Sequence, residues 1–317
     1  MPVALALLLG GALAGCAGSS RLALPATAPA LPARTEIRDL AFFPEAAHQC
    51  GPAALATVLS WSGLSATPDA VGKQVYSPAL KGSLQPALVS SARRHGRIAY
   101  EIAGSDALWQ EVAAGHPVIV LQNLGLSWNP VWHYAVVMGY DQPQQTIVLR
   151  SGQTVRQSIS YRLFDRTWAR ANRWGMVVLP PSQLPATAEE RPFVAAVIGL
   201  EKARQWPAAI TGYRTALARW PKSLAARMGI GNSYYATGDL AAAERAFREA
   251  VSLHPEAGAA CNNLAQVLMA QGRATEALQA ARQAVALGGP LAEVYRQTLE
   301  EIRKRLETDA AGESARF

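Results

Sequence analysis

Pro221, Pro255 and Gly289 stand at equal intervals of 34 residues, and Ala209, Ala243 and Ala277 recur at the same interval. Tyr213, Phe247 and Ala281 keep step with them, followed by Ala216, Ala250 and Ala284. A fixed period of this length marks one supersecondary unit, too small to bury its own apolar face, stacked on copies of itself. The residue types make that unit a pair of antiparallel helices. Small residues let the helices approach, an aromatic ring fills the gap between them, and Pro ends the second helix. The period therefore confines the chain beyond residue 190 to an all-α solenoid.

In the middle unit Gly231, Tyr234, Gly238, Ala243, Phe247, Ala250 and Pro255 occupy the small, aromatic and turn positions of a tetratricopeptide repeat, which this stretch resembles. Three such repeats fill residues 190–290. The first is degenerate, because Val197 stands where Gly or Ala is usual, and residues 291–317 read as a cap helix and tail. Repeats of this kind bind a peptide or helix in a concave groove. Three units is about the minimum for stability, so bracing of the preceding domain is the competing role.

The pattern upstream is different. Ala53 to Trp61, Leu84 to His95 and Asp106 to Ala114, ended by Gly115, have helical periodicity. Pro117–Leu121, His133–Met138, Thr146–Leu149 and Met176–Leu179 are short β-rich runs between turn residues. Helices first and strands second predict an α+β domain with an antiparallel sheet over residues 36–181. Pro180, Pro181 and Pro185 then break regular structure, and residues 182–189 form a linker.

Residues 3–14 are an uncharged apolar run, too short for a bilayer that needs about 20 residues but fitting the core of a signal peptide, although no Lys or Arg precedes it. Leu13-Ala14-Gly15-Cys16 follows and resembles the bacterial lipobox. The resemblance implies removal of residues 1–15, a lipid on Cys16 and, since Ala17 is not Asp, retention at the outer membrane facing the periplasm. Residues 16–35 have the Ser, Pro and Ala composition of a flexible tether.

Half the residues are hydrophobic and 17% are charged, which excludes wholesale disorder. The net charge of +7 is scattered without an aromatic-interleaved basic patch, so nucleic acid is not an expected partner. Three cysteines, Cys16, Cys50 and Cys261, argue against a disulfide framework and for a thiol kept for chemistry. No Cys-x-x-Cys or His-x-x-x-His spacing is present, and no metal or cofactor is expected.

The chemistry concentrates in His48-Gln49-Cys50-Gly51-Pro52-Ala53-Ala54-Leu55. A Cys just before Pro and an apolar helix sits at the helix N-terminus, where free N–H groups and the dipole favour thiolate and predict a lowered pKa. His133, at the head of the apolar strand Trp132–Tyr140, is the candidate base, held rigidly enough to take a proton and return it. His48, His95, His116 and His254 are assigned no role.

Cys50-Gly-Pro-Ala-Ala-Leu, followed about 80 residues later by His133-Tyr-Ala-Val-Val, resembles the papain-like bacteriocin-processing leader peptidases. Phe42-Phe43-Pro44, Leu121-Gln122-Asn123-Leu124-Gly125 and Trp132-His133-Tyr134 extend the resemblance to a stand-alone lipoprotein branch carrying tetratricopeptide repeats. It implies a papain-like cysteine peptidase whose Cys thiolate attacks a peptide carbonyl to give an acyl-enzyme. Two positions depart from the pattern. Leader peptidases place an oxyanion-hole Gln five or six residues before the Cys, where Glu45 stands here, leaving Gln49, backbone N–H groups or Glu45 itself for that role. The orienting Asp of the family is replaced within Leu149-Arg150-Ser151-Gly152, so Ser151 or Asp141 is the candidate to orient His133. Trp128 and Trp132 are candidate walls of the cleft. These departures keep a second reading open, a peptide-binding scaffold with weak or no catalysis. A transglutaminase or amidase would share the same thioester chemistry.

Overall fold

The computed structural model describes residues 31–45 and 49–314. The expected signal segment, Cys16, the tether up to residue 30 and His48 lie outside the described residues. The chain opens with β1 (Arg34–Glu36), followed by α1 (Cys50–Trp61), α2 (Pro68–Val75), β2 (Tyr76–Ser77), β3 (Gly82–Ser83), α3 (Gln85–Arg94) and β4 (Ile98–Ala103). Next come α4 (Ser105–Ala113), β5 (Val118–Asn123), β6 (Trp132–Asp141), β7 (Thr146–Ser151), β8 (Thr154–Ser160), α5 (Tyr161–Ala169) and β9 (Trp174–Leu179). The main sheet runs β4-β9-β5-β6-β7-β8, with β1 also on β6, and every pairing is antiparallel. The elements are less segregated than the sequence predicts, since β4 lies between two helices and α5 between two strands. The α+β class holds because the pairing contains no parallel crossover.

β6 organises the domain. Its residues from Tyr134 to Tyr140 are all buried, with Tyr134, Val136 and Met138 packed in the core beneath α1 and Ala135 and Val137 in the core on the opposite face. A bulge between Val137 and Gly139 resets the alternation, which lets Tyr140 join the second core. Gly139 also admits β1: a Cβ there would lie 2.5 Å from the Thr35 carbonyl oxygen. α1 is buried on every side from Gly51 to Leu59, as expected of a helix apolar all round.

Seven helices follow, α6 (Glu190–Lys202), α7 (Trp206–Arg219), α8 (Leu224–Ala236), α9 (Leu240–Leu253), α10 (Gly258–Ala270), α11 (Ala274–Leu287) and α12 (Ala292–Ser314). Glycine and aromatic residues interlock between them. A Cβ at Gly229 would meet the Tyr213 ring at 2.2 Å, one at Gly231 the Phe247 ring at 2.6 Å, and one at Gly258 the Tyr295 ring at 2.8 Å. Val197 in the degenerate first pair is accommodated by Gly212 opposite, where a Cβ would come within 2.9 Å of it.

The two regions share one core. Phe193, Val194, Val197, Leu200 and Tyr213 belong to the same buried cluster as Ile98, Tyr100, Val177 and Leu179 of the sheet. The connection between them is tied down by Glu111 of α4, which is fully buried. Its carboxylate accepts from Ala186 N (3.1 Å), Thr187 N (2.8 Å) and Thr187 Oγ1 (2.5 Å), and lies 2.7 Å from His116 Nδ1.

Candidate active site

Cys50 is the first residue of α1, and Gln49, its N-cap, makes no side-chain capping bond. Ala53 N donates to Gln49 O (3.0 Å), and Pro52 has no N–H, so the amides left at the helix mouth belong to Cys50 and Gly51. Both approach the Cys50 sulfur, as does the backbone N–H of Tyr134 on β6. His133 is the second residue of β6, opposite Gln122 of β5. Its Nε2 lies 2.8 Å from Ser151 Oγ at the end of β7. With Nε2–H donating to Ser151, the Nδ1 lone pair is left to receive a proton.

Glu45 enters from the segment before α1. Its Oε1 accepts from Gly152 N (2.9 Å), its own N donates to Gly152 O (3.1 Å), and Gln153 donates to its backbone carbonyl. Its Oε2 is 3.8 Å from His133 Nδ1. One donor atom each from Glu45, Cys50 and His133 lies within 4.8 Å of the others. Three side chains separated by up to 88 positions thus converge because α1 packs beneath β6 while the irregular segment at Glu45 is hydrogen-bonded to Gly152 in the β7–β8 turn.

Burial sets the electrostatics. It pushes the Cys50 thiol above its ordinary pKa, opposed by the Tyr134 N–H and reinforced by the Glu45 charge. It pushes His133 down and Glu45 up, the latter against the Gly152 N–H bond. The thiol lowered by the helix terminus that the sequence predicts is therefore corrected. The N–H groups are there, but desolvation and a neighbouring carboxylate outweigh them, and both shifts favour the uncharged thiol and the uncharged imidazole.

Asp141 is corrected as an orienting group. It ends β6, eight residues beyond His133, where its carboxylate pairs with Arg34 Nε (3.0 Å) and accepts from Gln144 N (3.0 Å). Ser151 is the side chain on the His133 ring. The Gln49 carboxamide oxygen lies against α2, 3.3 Å from where a Gly72 Cβ would be. Trp128 is 80% exposed in the loop before β6, which also presents Leu124, Leu126 and Val131, and Trp132, the first residue of β6, is 52% exposed. Asn123 shapes this loop, its Oδ1 accepting from Gly125 N (3.0 Å) and Val131 N (2.9 Å).

Two neighbours escape the sequence. Ser83 of β3 abuts Gly51 so closely that a Cβ there would lie 2.8 Å from Ser83 Cβ and Oγ, and the Ser83 carbonyl accepts from the Tyr134 hydroxyl (3.2 Å). Burial raises the Tyr134 phenol, which favours this neutral, donating form. Neither contact has a local signal, since the β2–β3 hairpin is two residues a side. A separate cleft of about 700 Å³ lies in the repeats, away from Cys50, lined among others by Tyr235, Met269, Thr298 and Ile302.

The fold and this cluster define a papain-like α+β domain of cysteine-peptidase type joined to a helical solenoid. Residues 37–176 match the Peptidase_C39 like family, and residues 194–244 and 229–292 match the tetratricopeptide repeat. The first domain thus matches the C39-like peptidase family, and the second matches tetratricopeptide repeats, a protein-interaction type. Among solved structures, one described as a C39-like peptidase from Bacillus anthracis is 16% identical, with 46% of this chain and 97% of that one covered and a TM-score of 0.39. The peptidase domain of Streptococcus ComA, a bifunctional ABC transporter of a quorum-sensing pathway, is 20% identical, with 44% and 97% covered and a TM-score of 0.38. The Yersinia enterocolitica type III secretion translocator chaperone SycD is 16% identical, with 36% and 83% covered and a TM-score of 0.35. No curated protein matches the chain.

Proposed function

We propose that this chain is a cysteine peptidase that cleaves peptide or protein substrates with Cys50 as nucleophile and His133 as base. The observation that carries the reading is the convergence of the Cys50 sulfur on an imidazole whose far nitrogen is engaged by Ser151. Because the uncharged forms are favoured, proton transfer accompanies attack. The Cys50 thiol gives its proton to His133 Nδ1 as the sulfur bonds the peptide carbonyl. His133 then passes that proton to the departing amine, leaving a thioester. Water, deprotonated by His133, hydrolyses the thioester and restores the thiol. The free amides of Cys50 and Gly51 serve the oxyanion, with Gln49 as the further donor, and Trp128 and Trp132 wall the apolar approach to His133.

Lipid on Cys16 would hold the enzyme at the outer membrane facing the periplasm, a reading that rests on the segment 3–16. Among the described residues no helix is long and apolar enough to cross a membrane. The repeats would recruit a protein partner or substrate, with the cleft beside Tyr235 and Ile302 as a docking place.

The test is acyl-enzyme capture in chelator-treated buffer, using unstructured peptides and peptidyl esters and reading intact mass. A thioester on Cys50, turnover abolished in Cys50→Ala and slowed at least about 100-fold in His133→Ala are the expected results. Turnover that survives Cys50→Ala, or none on any peptide, would reject the assignment and leave the peptide-binding scaffold.

A further inference from the structure

Glu45 is a poor residue for the chemistry just described. Its charge raises the Cys50 thiol, and it stands where an oxyanion donor is wanted. The same carboxylate, beside a thiol and an imidazole, is well suited to a different ligand. We propose that Glu45, Cys50 and His133 form a three-residue Zn²⁺ site that holds the peptidase in an inhibited form.

Three independent features support it. The first is distance. Tetrahedral zinc, with bonds of about 2.0–2.3 Å to N, O and S, sets its donors roughly 3.3–3.6 Å apart. His133 Nδ1 and Glu45 Oε2 are 3.8 Å apart, and the three donor atoms all lie within 4.8 Å of one another, so closure on a metal takes shifts on the order of an ångström. The second is donor type. One thiolate, one imidazole and one carboxylate suit zinc and disfavour the all-oxygen cations Ca²⁺ and Mg²⁺. The third is the support behind each donor. Nε2 of His133 is held by Ser151 Oγ at 2.8 Å, which leaves Nδ1 as the ligand atom, and the second oxygen of Glu45 is held by Gly152 N at 2.9 Å. Outer contacts of this kind orient metal ligands. His133 and Glu45 side chains retain 16% and 13% exposure, enough for water to reach a fourth position.

Binding releases the Cys50 thiol proton to solvent as the Zn–S bond forms. The metal then occupies both the nucleophile's lone pair and the lone pair that would accept its proton, so neither attack nor base catalysis proceeds. Removal of zinc by a stronger chelator restores the thiol. The site uses the same side chains as the proposed peptidase but needs no turnover to be observed.

The test titrates metal-free full chain with ZnCl₂ against a chromophoric chelator and, separately, with CoCl₂ while recording the thiolate-to-cobalt charge-transfer band. One metal per chain and a thiolate band are expected, with both lost in Cys50→Ser and His133→Ala. Affinity should fall about tenfold or more in Glu45→Gln, and about tenfold in Ser151→Ala, which removes only the support behind His133. Near-UV circular dichroism of each apo variant verifies that it is folded. Wild-type affinity in folded Glu45→Gln, absence of the thiolate band, or faster peptide hydrolysis with zinc would overturn the proposal. A chain that binds zinc as described but cleaves nothing would instead reject the peptidase reading alone.

Discussion

At Glu45 a single carboxylate bears on the peptidase chemistry proposed for this domain. It is pinned by Gly152 on one oxygen and faces His133 Nδ1 with the other, so it cannot swing clear without breaking the pairing that anchors its segment. Glu45→Gln removes the charge that disfavours the thiolate and offers an N–H₂ donor to the oxyanion. Since one such donor is worth about 10²–10³ in rate, kcat/KM in chelator-treated buffer should rise about tenfold or more, measured on the best peptide found. An unchanged or lower value would mean that Glu45 does not face the oxyanion. Ser151 shows what a sequence reading achieves and misses. Its replacement of the family's Asp is visible in the chain, while the choice between it and Asp141 is decided by which end of β6 each residue reaches.

Among the elements, α1 depends on a contact with a hairpin that nothing in the sequence marks. Gly51 is needed for close approach, since a Cβ would press on Ser83. Gly51→Ala should cost about 1–3 kcal/mol by overpacking and displace the helix mouth that carries Cys50, which denaturant unfolding and acylation rate would report together. Wild-type values in both would refute the close approach. β4 and α5 were hidden for different reasons. β4 is made a strand by pairing with β9, some 75 residues away, from Ile98↔Leu179 to Ala103↔Trp174. α5 is amphipathic and capped by Ser160, whose Oγ accepts from Leu163 N (3.4 Å), a local signal masked by its short length.

The whole molecule is held by a shared core and a buried clasp. Phe193, Val194, Val197 and Leu200 of α6 would leave the sheet face uncovered if the repeats were removed. At about 1.5–3 kcal/mol for each buried side chain, the loss is on the order of 10 kcal/mol, comparable with the ~5–15 kcal/mol that keeps a typical domain folded. A chain ending before residue 186 should therefore be insoluble or lack near-UV circular dichroism. A soluble, active fragment would show that the repeats serve recruitment without bracing. The clasp predicts a pH effect. Burial favours protonation of Glu111, but bonds from His116, Thr187 and Ala186 outweigh it and hold the carboxyl below its usual range. Its folded pKa is thus below the unfolded value of about 4.3, so its stabilisation is full above that value and is lost as pH falls through the folded one. Denaturation midpoints measured from neutral pH to about pH 3 should fall more steeply for wild type than for Glu111→Gln, whose amide cannot titrate. Parallel curves would remove Glu111 from the acid response.

Periodicity and short motifs determined the repeat class, the α+β class and the pairing of Cys50 with His133, because each is carried by local residue types or by a spacing that a resemblance can match. Helix pairs repeat every 34 residues, a Cys precedes Pro and an apolar helix, and a His heads an apolar strand. What stands behind those side chains was decided only by the packed structure. Sheet order brings β7 to His133, packing brings the separate hairpin to Gly51 and Glu45 to the sulfur, and burial then reverses the thiol's expected shift. The physical reason is that proximity across a sheet and loss of water are properties of the assembled core, and neither is written in the order of residues along the chain.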